Sequence, residues 1–313
     1  MNGSPFVSVV IPCFRAADTL RTAVESVLCQ SWSNLEVIIV DDGSPDQSLL
    51  VARQLAEEDP RVRVLSQTNS GPATARNRGI AASGGALIAF LDADDRWTSD
   101  YLAEHVAHFA HNPDCGAAFA RVAFFDPAMR CAGRTSAKVR SLTLAKILGE
   151  NAVCTTSNLV ARDSVFREIG AFDARLTHAE DQEWVARVLA MTPWRVLGLP
   201  KVMVHYRTSP TGLSGDLDLM REGWLRMLAI VRGYAASEHV AAQRDAFAIF
   251  HRFLARRALR SEAPGRALAL MLRAWRASPG ALLTDKPIRT ALVTLGAVAA
   301  LLPGNPARAL LSR

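Results

Sequence analysis

The chain has 313 residues, of which 50% are hydrophobic and 21% charged, a balance that supplies a sizeable core and excludes wholesale disorder. Its formal charge of +6 is unevenly spread: from residue 220 onward 15 Arg or Lys face 5 Asp or Glu, and before it 21 face 25. A near-neutral front therefore precedes a basic back, which either meets phosphate or anionic lipid headgroups or presents a solvated basic helical face.

In chain order, "MNGSPFVSVVIP" lacks the basic start and long apolar core of a signal peptide, so a cytoplasmic location is expected. "FVSVVIP" is an apolar run stopped by Pro12, as in a buried parallel strand. "DTLRTAVESVLCQ" gathers Leu20, Ala23, Val24, Val27 and Leu28 on one helical face, with Asp18 or Thr19 as its N-cap. "LEVIIVDDGS" reads as strand then turn, "DQSLLVARQLAEE" as helix and "VRVLSQ" as strand. "GPATARNRGIAAS" opens a helix, and "ALIAFLDADD" is a fourth strand. This alternation predicts a doubly wound, mostly parallel α/β sheet flanked by helices, whose ligands bind beyond the carboxyl ends of the strands.

Between about 100 and 210 the pattern is mixed. "YLAEHVAHFAHN" and "DQEWVARVLA" are helical, "GAAFARVAFFD" strand-like, "MRCAGRTSAKVRSL" loop-like, and "RVLGLPKVMVHYR" an extended edge. From about 218 the chain is helical, with breaks at Pro264 and at Pro279 and Gly280. The apolar run 291–302 falls short of the roughly 20 residues that span a bilayer, leaving a core helix or an interfacial anchor. The five cysteines, Cys13, Cys29, Cys115, Cys131 and Cys154, form no CxxC pair and read as small buried hydrophobes, not as disulfides or a zinc site.

Acids recur where strands end: Asp41 and Asp42 after "LEVIIV", then Asp92, Asp94 and Asp95 after "ALIAFL". In a parallel sheet these turns reach one rim, and clustered carboxylates there repel unless something offsets them. A hard divalent cation does so, since Mg²⁺ or Mn²⁺ takes one or two carboxylates together with nucleotide phosphate oxygens. In an extended turn Asp92 and Asp94 face the same way. Acids that merely cap a helix or stay solvated are the plain alternative for a lone DxD.

The DxD has company. "VSVVIPCFRAADTLRTAVESVLCQSW", "LEVIIVDDGSPDQS", "NSGPATARNRGIAASGG", "IAFLDADDRW" and "AEDQEW" follow one another over roughly residues 5 to 215. In this order the chain resembles glycosyltransferase family 2, with the GT-A fold. The resemblance implies an inverting enzyme that moves a sugar from a nucleotide diphosphate sugar, a UDP-sugar first, to an acceptor hydroxyl on a glycan or lipid-linked molecule of the cell envelope. It implies a catalytic domain over 1–217, nucleotide side mainly 1–100 and acceptor side 101–217, and a basic all-α region over 218–313.

Carried over by residue, Pro12, Cys13 and Phe14 line the base pocket, although relatives more often have Tyr-Asn where this chain has Phe14 and Arg15. Asp42 accepts a hydrogen bond from the base with Asp41 beside it, Gly71 lets backbone approach, and Arg76 reaches the base or diphosphate. Asp92 binds the ribose and Asp94 the metal, Mg²⁺ or Mn²⁺. Asp181 is the general base, and Glu180 shapes the acceptor side. Relatives carry a metal-binding His where Ser209 stands, so the metal is expected on Asp94, phosphate oxygens and water, with His205 structural.

The chemistry fits these assignments. Displacement at an anomeric carbon loads negative charge on the departing diphosphate, which a cation and Arg76 stabilise. The attacking hydroxyl must lose a proton to a carboxylate across the sugar. Asp181 stands at a helix start, where the dipole favours its ionised form. A non-catalytic sugar-nucleotide binder or scaffold is the alternative. A phosphatase DxD wants Thr or Val where Arg96 stands, no GxGxxG marks a dinucleotide enzyme, and the basic back lacks a nucleic-acid motif. A peripheral contact with the inner membrane face is expected of that basic region.

Overall fold

A computed structural model describes residues 4–136, 138–208, 216–235 and 237–301. The chain divides into two compact units, one of Met1–Leu142 and Ala152–Gly215, the other of Thr143–Asn151 and Asp216–Arg313. The second unit joins a nine-residue excursion, Thr143–Asn151, to the helical C-terminal stretch.

In the first unit β1 (Val7–Cys13), β2 (Leu35–Asp41), β3 (Val62–Ser66) and β4 (Leu87–Phe90) run parallel in the order β3-β2-β1-β4. β2 is buried throughout and β1 nearly so, which is why their apolar runs are unbroken. The polar exceptions satisfy one another: Ser8 Oγ donates to Glu36 (2.7 Å), and the backbone N–H groups of Gly84 and Gly85 donate to Glu36 and Ser8. Pro12 does not stop β1, as its sequence reading expected; it stays in register with Val40 of β2. Val10 accepts from Leu91 and Cys13 from Asp42, so Pro12 presents its missing donor towards the β4 side. β4 pairs with β1 only as far as Val10, and no ladder bond is lost.

Five further strands complete the sheet: β5 (Arg96–Trp97), β6 (Cys115–Phe125), β7 (Cys131–Thr135), β8 (Leu159–Arg162) and β9 (Arg195–Arg207). Past β4 the order continues β8-β6-β9-β5, with β7 on β6. Only β6 and β9 are parallel here; β4–β8, β8–β6, β6–β7 and β9–β5 are antiparallel. The parallel arrangement expected of the sheet thus belongs to its first four strands. The segment read as a loop contains β7, whose CAGRT offers neither alternation nor an apolar run to betray a strand.

The helices are α1 (Leu20–Leu28), α2 (Ser48–Glu58), α3 (Pro72–Ala82), α4 (Tyr101–His111), α5 (Leu144–Gly149), α6 (Asp163–Ile169), α7 (Glu180–Met191), α8 (Leu217–Tyr234), α9 (Ser237–Arg260), α10 (Pro264–Ala277), α11 (Pro279–Thr284) and α12 (Pro287–Ala299). α3 lies so close to β1 that a Cβ on Gly79 would fall 2.3 Å from the Val10 side chain. α7 is anchored by Trp184, which stacks on Phe166 (4.5 Å between centroids) and donates to the Gly170 carbonyl.

α5 and α8–α12 form the second unit. Trp224 of α8 stacks on Phe250 of α9 and donates to Leu148 of α5 (2.8 Å), which ties the excursion to the helices. The expected breaks hold: Pro264 and Pro279 open α10 and α11, where a proline costs no helical bond. Among the described residues no helix is long and apolar enough to cross a membrane. Most of the apolar run 291–302 lies in α12, which buries Thr290, Val293, Gly296 and Ala297; residue 302 lies outside the described residues.

Candidate active site

The chain reverses its direction of sheet growth between β1 and β4, the place where a doubly wound sheet leaves a crevice at its strand ends. Pro12, Cys13 and Phe14 stand at the end of β1, and Asp92, Asp94 and Asp95 follow β4. Cys13 is buried, and burial, with the Asp41 charge adding to it, pushes its thiol up to about 12, so it acts as a small apolar group. Phe14 is exposed, and the Arg15 guanidinium lies 5.3 Å from its ring centroid. Arg15 itself adopts φ +53°, a left-handed conformation that costs a side-chain-bearing residue energy.

At the end of β2 the two aspartates do different things. Asp42 accepts from Gln67 Nε2 and Ser70 N at one oxygen and from Gly71 N at the other, each at 2.8 Å. Its carboxylate is committed to shaping the loop before α3, whereas the sequence reading gave it a hydrogen bond from the base. Asp41 is buried, takes a long bond from Ser44 N (3.4 Å) on one oxygen, and leaves Oδ1 buried with no partner among the described residues. Of the pair, Asp41 is the one with an acceptor to spare. Gly71 sits at φ +89° with open space where a Cβ would be, so its need for glycine is conformational.

Arg76 is the hinge of the site. It is nearly fully buried, with Nη2 donating to Asp92 Oδ1 and Nη1 to Glu180 Oε1, both at 2.6 Å. Burial opposes its charge, but Asp92, Glu180 and Asp181 outweigh that penalty and raise its pKa above the ordinary arginine value. One guanidinium thus joins the DxD turn to the first turn of α7. The adjacent Asn77 donates to the Phe172 carbonyl (2.8 Å) and accepts from its N–H (2.9 Å), clamping α3 to the loop ahead of α7. Glu180 is therefore turned toward Arg76.

Asp181 lies next to it, buried, with Gln182 N donating to its Oδ1 (2.7 Å). Ala179 precedes the helix at φ +63°, so the chain enters α7 through a strained left-handed turn. Arg187 holds the far side of this helix, donating to Glu183 and to the Ile169 and Ala171 carbonyls.

The remaining DxD acids show why the turn is rigid. Asp95 is fully buried and accepts from Ser157 Oγ (2.6 Å) and Arg207 N (2.9 Å). Asp92 N donates to the same Ser157 oxygen, and Thr155 Oγ1 reaches Asp92 Oδ2 at 3.3 Å. Thr155, Ser157 and Arg207 were not singled out from sequence: they are ordinary polar residues more than 60 positions from the acids they hold. Asp95 was visible only as one of three clustered carboxylates.

Asp94 is half-buried in a turn closed by the bond from Asp95 N to the Asp92 carbonyl, not in the extended stretch that the sequence suggests. Burial first, and the Asp92 charge second, push its carboxyl up to about 6 against the pull of its own N–H and Arg207. A cation is what such a group lacks. Among the described residues no three His, Cys, Asp or Glu side chains are grouped so as to hold a metal ion. His205 packs its ring on Phe125 (4.7 Å) and is driven towards the neutral form by burial, then by Arg96. Ser209 lies outside the described residues.

Comparison with known proteins agrees with this geometry. The family described as glycosyl transferase family 2 matches residues 8–170. The putative teichuronic acid biosynthesis glycosyltransferase TuaG of Bacillus subtilis is 40% identical over 119 residues, 38% of this chain and 47% of that protein. The chain spans less than half the length of the first curated relatives it matches. Among solved structures, S. aureus TarS 1–349 in complex with UDP aligns with a TM-score of 0.58 at 20% identity, covering 94% of this chain and 88% of that one. The mannosyltransferase PcManGT of Pyrobaculum calidifontis, in complex with GDP-Man and Mn²⁺, aligns at 0.63 and 19%, covering 99% and 88%. A parallel β3-β2-β1-β4 half-sheet with acids at its strand ends, the matched family and the GT-A neighbours lead to one conclusion: the chain belongs to glycosyltransferase family 2.

Proposed function

We propose that the protein transfers a sugar, with inversion, from a nucleotide diphosphate sugar to an acceptor hydroxyl. The observation that carries this reading is the Asp92–Arg76–Glu180 bridge, which joins the donor-side acids to the helix bearing Asp181. In the reaction the acceptor oxygen bonds to the anomeric carbon as the bond to the diphosphate oxygen breaks. The hydroxyl proton passes to the Asp181 carboxylate, and the nucleoside diphosphate leaves with the bonding electrons. Asp41 Oδ1, buried and without a partner among the described residues, receives the base N–H, a role that suits uracil N3–H. Asp92 holds the ribose. Asp94 holds Mg²⁺ or Mn²⁺, which neutralises charge on the diphosphate when bound. Arg76 keeps Asp92 and the α7 terminus in register, so its contribution is to orientation as much as to charge.

A UDP-sugar is the donor we favour, in line with the UDP complex of a neighbour, and the likeness to TuaG supports an acceptor in cell-envelope glycan synthesis. The test is release of nucleoside diphosphate from a panel of UDP-, TDP- and GDP-sugars with Mn²⁺ and candidate acceptors. Turnover with one donor, abolished in Asp181→Asn with donor binding intact, is expected. Binding without turnover across every donor and acceptor would instead leave a sugar-nucleotide-binding protein.

A further inference from the structure

The second unit carries a helix built the wrong way round for a water-facing surface. α12 turns Thr290 inward, where it receives Arg252 and donates to the Leu282 carbonyl, and Thr294 accepts from Trp275 of α10. Its single charge, Arg289, is engaged by Glu150. The outward face is Ile288, Ala291, Leu292, Leu295 and Val298, at the helical spacing of one stripe. Ile288 is 77% exposed, Leu292 64%, Leu295 67% and Val298 47%. Leu283 in α11 and Leu301 after α12 are exposed as well. Surface helices ordinarily show water their polar side, and an apolar stripe left in water marks a contact.

The charges nearby say which contact. No acidic residue occurs in the sequence after Asp285, and the basic Lys286 and Arg289 share Glu150. α10, which packs on α12, adds Arg273 and Arg276, both exposed and without an acidic partner among the described residues. With Glu150 taken up by Lys286 and Arg289, and Asp285 by Arg252, the exposed arginines of α10 are, among the described residues, the charges left unpaired beside the apolar stripe. The two together complement a surface that is hydrocarbon beneath and anionic above. A protein partner would need acids facing those arginines, and a second copy would bring its own arginines against them.

We propose that α12 is an interfacial membrane helix, lying in the headgroup region of an anionic bilayer with Ile288, Leu292, Leu295 and Val298 inserted. At about 20 Å long it lies on the membrane and does not span it. The inference stands apart from the transfer reading, because membrane docking needs neither donor nor acceptor. It sharpens the two alternatives left open for the apolar run, since one face of the helix is core and the other is anchor.

The experiment is co-sedimentation of the full chain with phosphatidylglycerol-containing vesicles and with pure phosphatidylcholine vesicles, at low and high salt. Binding to the anionic vesicles is expected, weaker on the neutral ones. Leu292→Glu with Leu295→Glu should weaken it at least about tenfold, since two inserted side chains are lost. Both leucines face solvent, so an unchanged melting curve checks the fold; Leu292→Ser with Leu295→Ser is the milder version should the glutamates disturb it. Arg273→Ala with Arg276→Ala should lower binding to anionic vesicles and flatten its salt dependence. A chain that stays in solution with anionic vesicles overturns the proposal, as does a Glu variant that pellets like the parent. So does a dimer, seen by light scattering and broken by the same variants, that ignores vesicles.

Discussion

Both units bury charge, but they balance it in opposite ways. In the sheet unit, Arg76 and Arg207 sit among Asp92, Asp94, Asp95, Glu180 and Asp181, so acids outnumber the cations that hold them. In the helical unit, Glu150 receives Arg256, Lys286 and Arg289, and Asp285 receives the fully buried Arg252. There the cations are in excess, yet every one of those four has an acid within reach, and Glu150 is held below the ordinary glutamate range by its three partners despite its burial. In the helical cluster the group left over is a donor, Arg256 Nε, and burial with Arg289 and Arg252 beside it pulls the Arg256 pKa down; in the sheet unit what is left over is carboxylate, with Asp41 Oδ1 buried without a partner among the described residues and Asp94 pushed up to about 6. Buried carboxylates left short of positive charge cost stability, and that shortfall is what a cation and a donor N–H remove. On the proposed function, the difference is that between a cluster that holds helices together and one that takes a ligand.

The sharpest break between them is kinetic. Asp181→Asn should reduce transfer roughly a thousandfold, within the range for loss of a general base, while leaving the melting temperature and donor affinity close to the parent. Glu150→Gln should do the reverse: three cations lose a full charge, stability falls by about 1–3 kcal/mol, and turnover per folded molecule stays put. Steady-state kinetics beside thermal melts of the two variants decides it. If Glu150→Gln lost turnover without losing stability, the contrast would be misassigned.

The next test removes a cation from each cluster. Arg76→Met strands Asp92 and Glu180, which should cost about 3–5 kcal/mol in urea unfolding, as for other broken buried pairs. Arg252→Met strands Asp285, whose side chain is partly exposed and can hydrate, so the loss should be smaller. Equal losses would mean that Arg76 is no more than another structural arginine.

Ligand linkage comes third. Mn²⁺ with UDP should stabilise the parent by about 2.7 kcal/mol at a hundredfold excess over the dissociation constant, and a chelator should reverse it. Asp94→Asn should abolish the metal-dependent part of that shift, whereas Glu150→Gln should keep it. A shift that survives Asp94→Asn would move the cation elsewhere.

How much of this could be read from sequence follows the same divide. The β1–β4 half-sheet was legible because buried parallel strands are unbroken apolar runs and their helices keep a 3.6-residue period. The acids at the strand ends were legible because carboxylates there have few structural reasons to cluster. What sequence could not give was the division of labour between Asp41 and Asp42. Adjacent identical residues differ only by which way the chain turns, and Gly43 at φ +68° with Gly71 at φ +89° decides that Asp42 meets the loop. Thr155, Ser157 and Arg207 were hidden for a related reason, since their hydrogen bonds join distant segments. β8, α5 and α6 were missed because elements of four to seven residues carry less than two periods of any pattern.

The smallest effect tests where the two units are alike. His105 in α4 and His251 in α9 each hold Nδ1 on the carbonyl four residues back, 2.8 Å to Tyr101 and 2.9 Å to Phe247. Each ring packs on that same residue's ring, and each leaves Nε2 buried without a partner among the described residues. A carbonyl cannot donate, so Nδ1 carries a proton in both rings, and burial disfavours a second proton on Nε2. Burial pushes each pKa down to about 4, helped by His108 for the first and by Arg221 and Arg273 for the second, and opposed in both by the bond to the carbonyl. Because the folded value lies below the unfolded value near 6.5, the contribution is fully present above that pH and is lost as pH falls toward 4. For His105, one unit below 6.5 should already cost about 1.4 kcal/mol. His105→Phe and His251→Phe each remove one titrating group while keeping a ring in place, so each should flatten the fall of melting temperature between neutral and mildly acid pH. Flattening by His105→Phe alone would show that the sheet unit sets the acid limit; flattening by neither would mean that the carboxylate clusters govern it.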